Sequence, residues 1–511
     1  MRCTCKFILV ILVACFLCVF ASAQDNGYII RFNDEQSFEK AMKYMNSRVQ
    51  FYSDNQETSS LEEVSKPLDM YLTYDKDLAD EFEKMGLTMY CEDNQVWYFC
   101  DYDYDLNQYY QSYQKNWEHE AVNVQEAWSY GVYGNDVVVA VIDSGVKSTH
   151  EDLKNNMLSG FSAVDGDASS EDLLGHGTSV AGVIASQANS VGCVGIAHRA
   201  KILPIKVSNE QTFTTANIAY CITKAVESGA DVINMSIGFV PTTDNANYRY
   251  QAIENAIQYA NMLGVIIVAA AGNEGLEMYS YPASFEGVIS VANLMKSSGG
   301  TYAVASSSNR NDRITIAAPG TLIHTTGING TTSYVQASGT SFASPCVAAI
   351  AALAKSVKPS ITHEEFEELL IETADKTYLN GQDRDNFFGY GIADAGKLIR
   401  TLIMEEIANQ KTDVYVSPID KTTYGNDTGK VYMNMKITNF SGLPRQITFI
   451  GKSMNGLKPI GINSATRTIG SGATTEIDAT LVEGALTCQE FSCYFLDTVK
   501  LSPVYKKVVN N

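Results

Sequence analysis

The chain has 511 residues, 45% hydrophobic and 19% charged, with a formal net charge of −21. That length predicts several domains and a hydrophobic fraction able to bury a real core. The acidic balance excludes nucleic-acid recognition, which needs clustered Lys and Arg; solubility is the plain reading of it.

Residues 1–23 have the pattern of a secretory signal peptide. Arg2 and Lys6 precede the apolar run FILVILVACFLCVF, and Ala21-Ser22-Ala23 offers a cleavage site before Gln24. The run is short for a bilayer span, and no later segment is long and apolar enough to cross a membrane. The mature chain is therefore expected in the extracellular space or in a lumen of the secretory or lysosomal pathway. Of the 11 cysteines, Cys3, Cys5, Cys15 and Cys18 leave with the signal. Secretion permits disulfides, and Cys91–Cys100 and Cys488–Cys493 are the local pairings expected. Cys193, Cys221 and Cys346 leave an odd number in the middle, so at least one buried free thiol is expected there. No spacing suggests a zinc site.

Residues 24–110 read as a small mixed α/β piece: GYIIRF a strand, DEQSFEKAMKYM a helix, NQVWYFC a strand, and DYDYDLNQYYQSYQKN a polar, tyrosine-rich linker. Residues 111–403 alternate strand and helix. VVVAVI, KILPIKV, DVINMSI, VIIVAAAG and GVISVAN are apolar strands, and ANIAYCITKAVESG and YQAIENAIQYANMLG are helices between them. Near-continuous Val/Ile strands separated by helices predict a doubly wound, mostly parallel sheet with helices on both faces. Such sheets carry their sites beyond the carboxyl ends of the strands, where Asp143 and Asn273 fall. In residues 404–511 the helical pattern fades; DVYVSPI, KVYMNMKIT, RQITFIG and TTEIDATLV predict a β-sandwich-like C-terminal domain.

Four polar stretches interrupt the apolar framework of residues 111–403: VAVIDSG with Asp143, GHGTSVAG with His176, AAAGNEG with Asn273, and GTSFASP with Ser341. Singly, each has a plain explanation. Asp143 suits a turn, Asn273 a left-handed turn position, and Ser341 a helix N-cap. Together they hold the parts that an acyl-transfer reaction requires. A serine hydroxyl is a weak nucleophile and needs a base, and the base needs an orienting partner. In that scheme His176 takes the Ser341 proton and returns it to the leaving amine. Asp143 fixes the imidazole tautomer, and the Asn273 amide with the Ser341 backbone N–H holds the oxyanion.

With these stretches quoted, the chain resembles the subtilisin-like serine proteases, the subtilases of peptidase family S8. The order Asp, His, Ser is the one known for subtilisin. The resemblance spans roughly residues 111–403, about half or more of the chain. VAVIDSGV, GHGTSVAGVIA and GTSFASP match the family's three signature blocks, WEHEAVNVQEAW resembles its opening segment, and GYGIADA its closing one. The resemblance implies a serine endopeptidase acting on proteins or peptides, and it makes residues 24–110 a cleavable propeptide that serves as intramolecular inhibitor and chaperone. It also implies a substrate pocket with Ser236, Ile237 and Gly238 as one wall, Ala270, Ala271 and Gly272 as the other, and Ser280 at the base. None of these is acidic, so the pocket is neutral and an apolar or aromatic residue, rather than Lys or Arg, is expected before the scissile bond. Ile205–Phe213 should include a second strand that pairs with substrate. A structural calcium ion is implied as well, with Asp152 and Asn189 as side-chain ligands and Gln187, Val191 and Cys193 giving backbone oxygens; the plain alternative is an Asx-turn at Asn189 and a capping role for Asp152. No cofactor is needed for catalysis.

His119, His150, His198, His324 and His363 are expected to be surface or structural residues, and Cys346 to be packing. Asn329, Asn426 and Asn439 head glycosylation sequons. Two other functions compete with proteolysis. In a binding protein without turnover a triad position would be expected to be vacant, and none is; a peptide ligase would share the acyl-enzyme and differ only in product mass.

Overall fold

The computed structural model describes residues 27–49, 61–99, 116–164, 166–239 and 250–409, and in the C-terminal region 414–417, 421–425, 430–455, 458–480, 490–497 and 502–510. The expected signal peptide, the tyrosine-rich stretch 101–115, Cys100, Asn426 and Cys488 lie outside the described residues. The chain divides into two compact units. The first runs to Val96 and takes in 214–219 and 248–252; the second holds the rest.

In the first unit, four antiparallel strands stand in the order Glu62–Ser65, Met70–Thr73, Tyr28–Phe32, Thr88–Asp93. Helices Glu35–Val49 and Lys76–Lys84 complete a β-α-β-β-α-β chain order. Alternation in YIIRF turns Ile30 and Phe32 onto the helices, where they meet Ala41, Met45, Leu78, Ala79 and Phe82. Asp75 starts the second helix by accepting the Leu78 N–H at 3.0 Å. Cys91 is a free thiol, pushed up to about 12 by burial.

The second unit is built on a sheet in the order Tyr302–Val304, Ile289–Lys296, Ile266–Ala270, Val232–Met235, Val138–Asp143, Lys201–Lys206, Phe161–Ser162, with Ile316–Pro319 also pairing with Ile289–Lys296. Every pairing is parallel except that of Tyr302–Val304. Val138–Asp143 is the first strand of the sheet in sequence, and its successors fall on both sides of it. It therefore forms one side of the crevice where the strand order reverses. Helix Thr340–Val357 runs through the core, buried from Thr340 to Lys355 because its Ala-rich face permits close packing on all sides. Contrary to the expectation from sequence, it is long and apolar enough to cross a membrane, the one such helix among the described residues, and its apolar character serves a buried core position.

The C-terminal residues form two four-stranded antiparallel sheets. One holds Val414–Val416, Lys421–Gly425, Lys430–Asn439 and Thr474–Thr480; the other holds Arg445–Asn455, Lys458–Ile469, Glu490–Asp497 and Ser502–Asn510. Asn439 is fully buried, and its amide donates to the carbonyls of Leu443, Ile469 and Gly470 at 2.8–3.0 Å. It ties a turn together and is closed to a glycan.

Candidate active site

Asp143 ends its strand with no solvent exposure. Its Oδ1 accepts from His176 Nδ1 at 2.7 Å and from the Ser144 N–H at 2.7 Å. His176 is the first residue of helix His176–Ala185, and Gly175 before it takes φ 101°, a left-handed conformation that favours glycine. The next residue must be glycine for a different reason: a Cβ on Gly177 would stand 2.2 Å from the Gly145 carbonyl oxygen and 3.0 Å from Asp143. That close approach lets the helix start reach the strand end.

A second carboxylate holds this corner. Asp172 accepts from Ser144 Oγ, from the backbone N–H groups of Leu174, Gly175 and Thr178, and from Thr178 Oγ1, all at 2.6–2.9 Å. Ser144 Oγ in turn accepts the Gly177 N–H at 2.9 Å. Asp172 thus clamps the residue after Asp143 to the loop that leads into His176. Burial pushes its carboxyl up while these donors hold it down.

Ser341 is the second residue of its helix, so it is not the N-cap. The capping acceptor comes from elsewhere: Asn273 Oδ1 accepts from the Thr340 N–H at 2.9 Å and from Thr340 Oγ1 at 3.1 Å, while the Gly272 N–H donates to Thr340 Oγ1 at 3.2 Å. With its oxygen so pinned, the Asn273 Nδ2 end lies by Gly339, where a Cβ would come within 3.3 Å of it. Pro345, inside the helix, has no N–H for the Ser341 carbonyl four residues back. Ser236 Oγ supplies the missing donor at 2.8 Å, and Ser236 Oγ accepts from Asn234 Nδ2 at 3.0 Å. Asn234 Oδ1 accepts from Ser344 Oγ at 2.6 Å. Ser341 Oγ lies 3.5 Å from the Ser236 carbonyl oxygen. The ring of Phe342 meets that of His176 edge-on at 5.8 Å. Strand ends and two helix starts thus converge on Asp143, His176, Asn273 and Ser341.

The expected pocket residues surround the same place. Ser236, Ile237, Ala270, Ala271 and Ser280 are all buried. A Cβ on Gly272 would lie 3.2 Å from Ser280 Cβ, which puts the predicted base against one wall. Phe239, following Gly238, exchanges backbone hydrogen bonds with Tyr281 at 2.8 and 3.0 Å and joins the other wall to that base. Asp172, Thr340 and Ser344 were not singled out from sequence, and Asn234 was noted only as a sequon in a buried strand. The one available signal was a polar residue inside the apolar strand DVINMSI.

The residues expected around calcium do gather. Asp152 is fully buried; its carboxylate accepts from Asn189 Nδ2 at 2.8 Å, from the Cys193 N–H at 3.1 Å and from the Tyr334 hydroxyl at 2.9 Å. Asn189 Oδ1 accepts the Val191 N–H at 3.1 Å, an Asx-turn, and the Gln187 N–H donates to the Asp152 carbonyl at 2.8 Å. These side-chain and backbone donors to the buried carboxylate are all uncharged.

Four of the five histidines set aside are buried, not on the surface. His119, His198 and His363 are each pushed down to about 4, chiefly by burial. Cys346 is a buried free thiol whose pKa lies well above the usual range for the same reason. Beside His119, Glu118 is buried with Oε2 unpaired, and burial raises its carboxyl to about 7.

A parallel sheet with a serine, an asparagine and a buried histidine–aspartate pair at its carboxyl end has the equipment of a serine hydrolase. The sequence profile of the subtilase family matches residues 134–391. A thermostable alkaline protease of Halalkalibacterium halodurans is 36% identical over 286 residues, spanning 55% of this chain and 72% of that protein. The minor extracellular protease Epr of Bacillus subtilis is 34% identical over 281 residues, spanning 54% of this chain and 41% of its own length. In fold, the chain is similar to the crystal structure of fervidolysin from Fervidobacterium pennivorans, a keratinolytic enzyme related to subtilisin; the TM-score is 0.61 at 20% identity, over 96% of this chain and 76% of that one. The chain belongs to the subtilase family, and it is a serine peptidase.

Proposed function

We propose that this protein is a secreted endopeptidase that hydrolyses peptide bonds through an acyl-enzyme on Ser341 and is made as a zymogen. His176 is the general base and then the general acid, and Asp143 orients it. Asn273 Nδ2 and the Ser341 backbone N–H stabilise the oxyanion. The observation that carries this reading is the fully buried Asp143–His176 contact of 2.7 Å at a strand end, with Ser341 and the pinned Asn273 at the same end of the sheet. The neutral walls and base favour a neutral residue before the scissile bond. Residues 24–110 act as inhibitor and chaperone until removed. Secretion is supported by the signal-like start and by the extracellular relative.

A calcium ion would be held by Asp152, Asn189 and the main-chain oxygens of Gln187, Val191 and Cys193. Its charge would offset a buried carboxylate that meets neutral donors. Melting measured with calcium and with chelator tests this: equal melting temperatures would remove calcium from the account.

The test of the reaction is a fluorophosphonate probe with a casein digest, applied to wild type and Ser341→Ala. Labelling and digestion in wild type alone are expected; digestion by Ser341→Ala would overturn the assignment.

A further inference from the structure

The reacting groups sit on two blocks. The strand of Asp143 is clamped to the start of the His176 helix through Ser144 and Asp172. Ser341, Asn273 and Ser236 are tied together around the start of helix Thr340–Val357. A third element touches both. Strand Ile323–Thr326 pairs antiparallel with Tyr334–Ala337, and the pairing runs on toward Ser341: the Leu322 N–H donates to Ser338 Oγ at 2.9 Å, and the Gly339 N–H to the Gly320 carbonyl at 2.8 Å. At the other end of the same strand, Thr325 Oγ1 donates to the Ser179 carbonyl at 2.6 Å and Thr326 Oγ1 to the Thr178 carbonyl at 2.7 Å, and both threonines are fully buried. Ser179 Oγ lies 2.8 Å from the Thr326 carbonyl oxygen. Thr178 and Ser179 belong to the first turn of helix His176–Ala185. A Cβ on Gly182 would stand 2.2 Å from Thr325 Oγ1 and 2.4 Å from Thr326 Oγ1, so glycine there is what lets both hydroxyls reach consecutive carbonyls of one turn.

We infer that Thr325 and Thr326 are positioning residues for the reaction: their hydroxyls fix the start of the His176 helix to the strand pair that leads into Ser341, and so set where the imidazole stands relative to the nucleophile. The inference rests on the roles given above to His176 and Ser341. Val180, Ala181 and Ile184 of the His176 helix share one apolar core with Phe342, Ala343 and Val347 of the Ser341 helix. Such packing is non-directional and lets one helix slide or turn against the other. Hydrogen bonds are directional, and a pair from adjacent threonines to adjacent carbonyls holds the helix start against both movements. General-base catalysis needs His176 Nε2 within hydrogen-bond reach of the Ser341 hydroxyl, and a misplacement of about 1 Å costs on the order of a hundred-fold in rate. Threonine suits the task, because its β-branched body fits a strand while its hydroxyl donates. Valine keeps that body and loses the donor; serine keeps the donor and loses a methyl group.

The test uses the full chain, expressed with secretion, as wild type, Thr325→Val, Thr326→Val, the double valine variant, and the corresponding single and double serine variants. The active fraction of each is counted by fluorophosphonate labelling run to completion. On that fraction kcat, KM and the labelling rate are measured, with thermal melting beside them. The double valine variant should lose roughly ten- to a hundred-fold in kcat with KM within about two-fold, its labelling slowed in step, and each single valine variant should lose more than about two-fold. The serine variants should recover most of that loss. Valine variants that melt lower yet keep kcat within about two-fold per active site would overturn the inference, since a merely structural role moves melting alone. Serine variants that fall as far as the valine ones would overturn it as well, because packing and not the hydroxyl would then be responsible. If the double valine variant does not fold, the single variants are judged by the same criteria. A wild type that neither digests a peptide substrate nor takes the label overturns the peptidase reading itself, a result distinct from both.

Discussion

The Ser341 carbonyl depends on a side chain from another strand, and that dependence can be measured. Pro345 cannot serve this carbonyl, and Ser236 Oγ does so at 2.8 Å. Ser236→Ala leaves a buried acceptor unpaired, a loss of about 1–3 kcal/mol. At roughly 2–4 °C per kcal/mol for a domain of this size, melting should fall by roughly 2–12 °C. Pro345→Ala restores the backbone N–H that a helix would ordinarily offer. In that background Ser236→Ala should cost about 1 kcal/mol less, since the restored N–H can then serve the Ser341 carbonyl. Asn234 Nδ2 also loses its acceptor in Ser236→Ala, but it does so in both backgrounds, and the difference cancels. The four variants are best built on Ser341→Ala, which keeps the carbonyl and prevents self-digestion, and compared by thermal unfolding at one scan rate. A coupling below about 0.5 kcal/mol, within the scatter of independent sites, would refute the claim that Ser236 substitutes for the missing helical donor.

Three further outcomes are expected. Burial raises Glu118 from 4.5 to about 7, so as pH rises through that window the unfolded chain ionises first and stability falls, levelling off above the folded value. Glu118→Gln should therefore melt higher at pH 8, by up to ~3 kcal/mol, with the gain vanishing below 4.5; a gain independent of pH in melting curves would contradict this. Asp172→Asn keeps the shape but turns an amide toward N–H donors, and it should lower kcat roughly ten-fold with KM little changed. Removing the negative charge should also move the acid limb of the kcat/KM profile to lower pH, and an unchanged limb and rate would deny Asp172 its positioning role. Gly177→Ala would bring a Cβ within 2.2 Å of a backbone oxygen; peptidase activity within ten-fold of wild type, about 1.4 kcal/mol, would show that the helix start tolerates displacement.

Asp143, His176, Asn273 and Ser341 were legible because each is a polar residue, set among glycines or other small residues, where an apolar strand or helix would otherwise run on. The alternating strands and helices of the sheet were legible for a related reason: buried parallel strands must be apolar throughout. What supports the site was not legible. Ser344 and Asn234 are 110 residues apart, and a hydrogen bond across that distance leaves no spacing to read. Asp172 carries no mark in the sequence, since only the fold aims five donors at it. The N-cap reading of Ser341 failed because the capping oxygen belongs to Asn273, 67 positions upstream of Thr340. Sequon Asn439 illustrates the converse: a local pattern was present, but burial made it structural.

The family match ends at residue 391, but the hydrophobic core does not. Helix Ala395–Asn409 contributes Leu398, Ile399, Leu402, Ile403 and Ile407 to it, and Tyr415 from the first C-terminal strand closes the same cluster, with Phe440 packed against it. Lys436 Nζ reaches the Trp128 carbonyl at 2.9 Å and sits over the Tyr133 ring. Modularity therefore has a limit in this chain. The C-terminal strands are not cargo that recombination can exchange at a linker, because a graft at residue 403 would arrive without the aromatic lid that seals the peptidase core. Any lineage that replaced them would have to supply equivalents of Tyr415 and Phe440 at the same step.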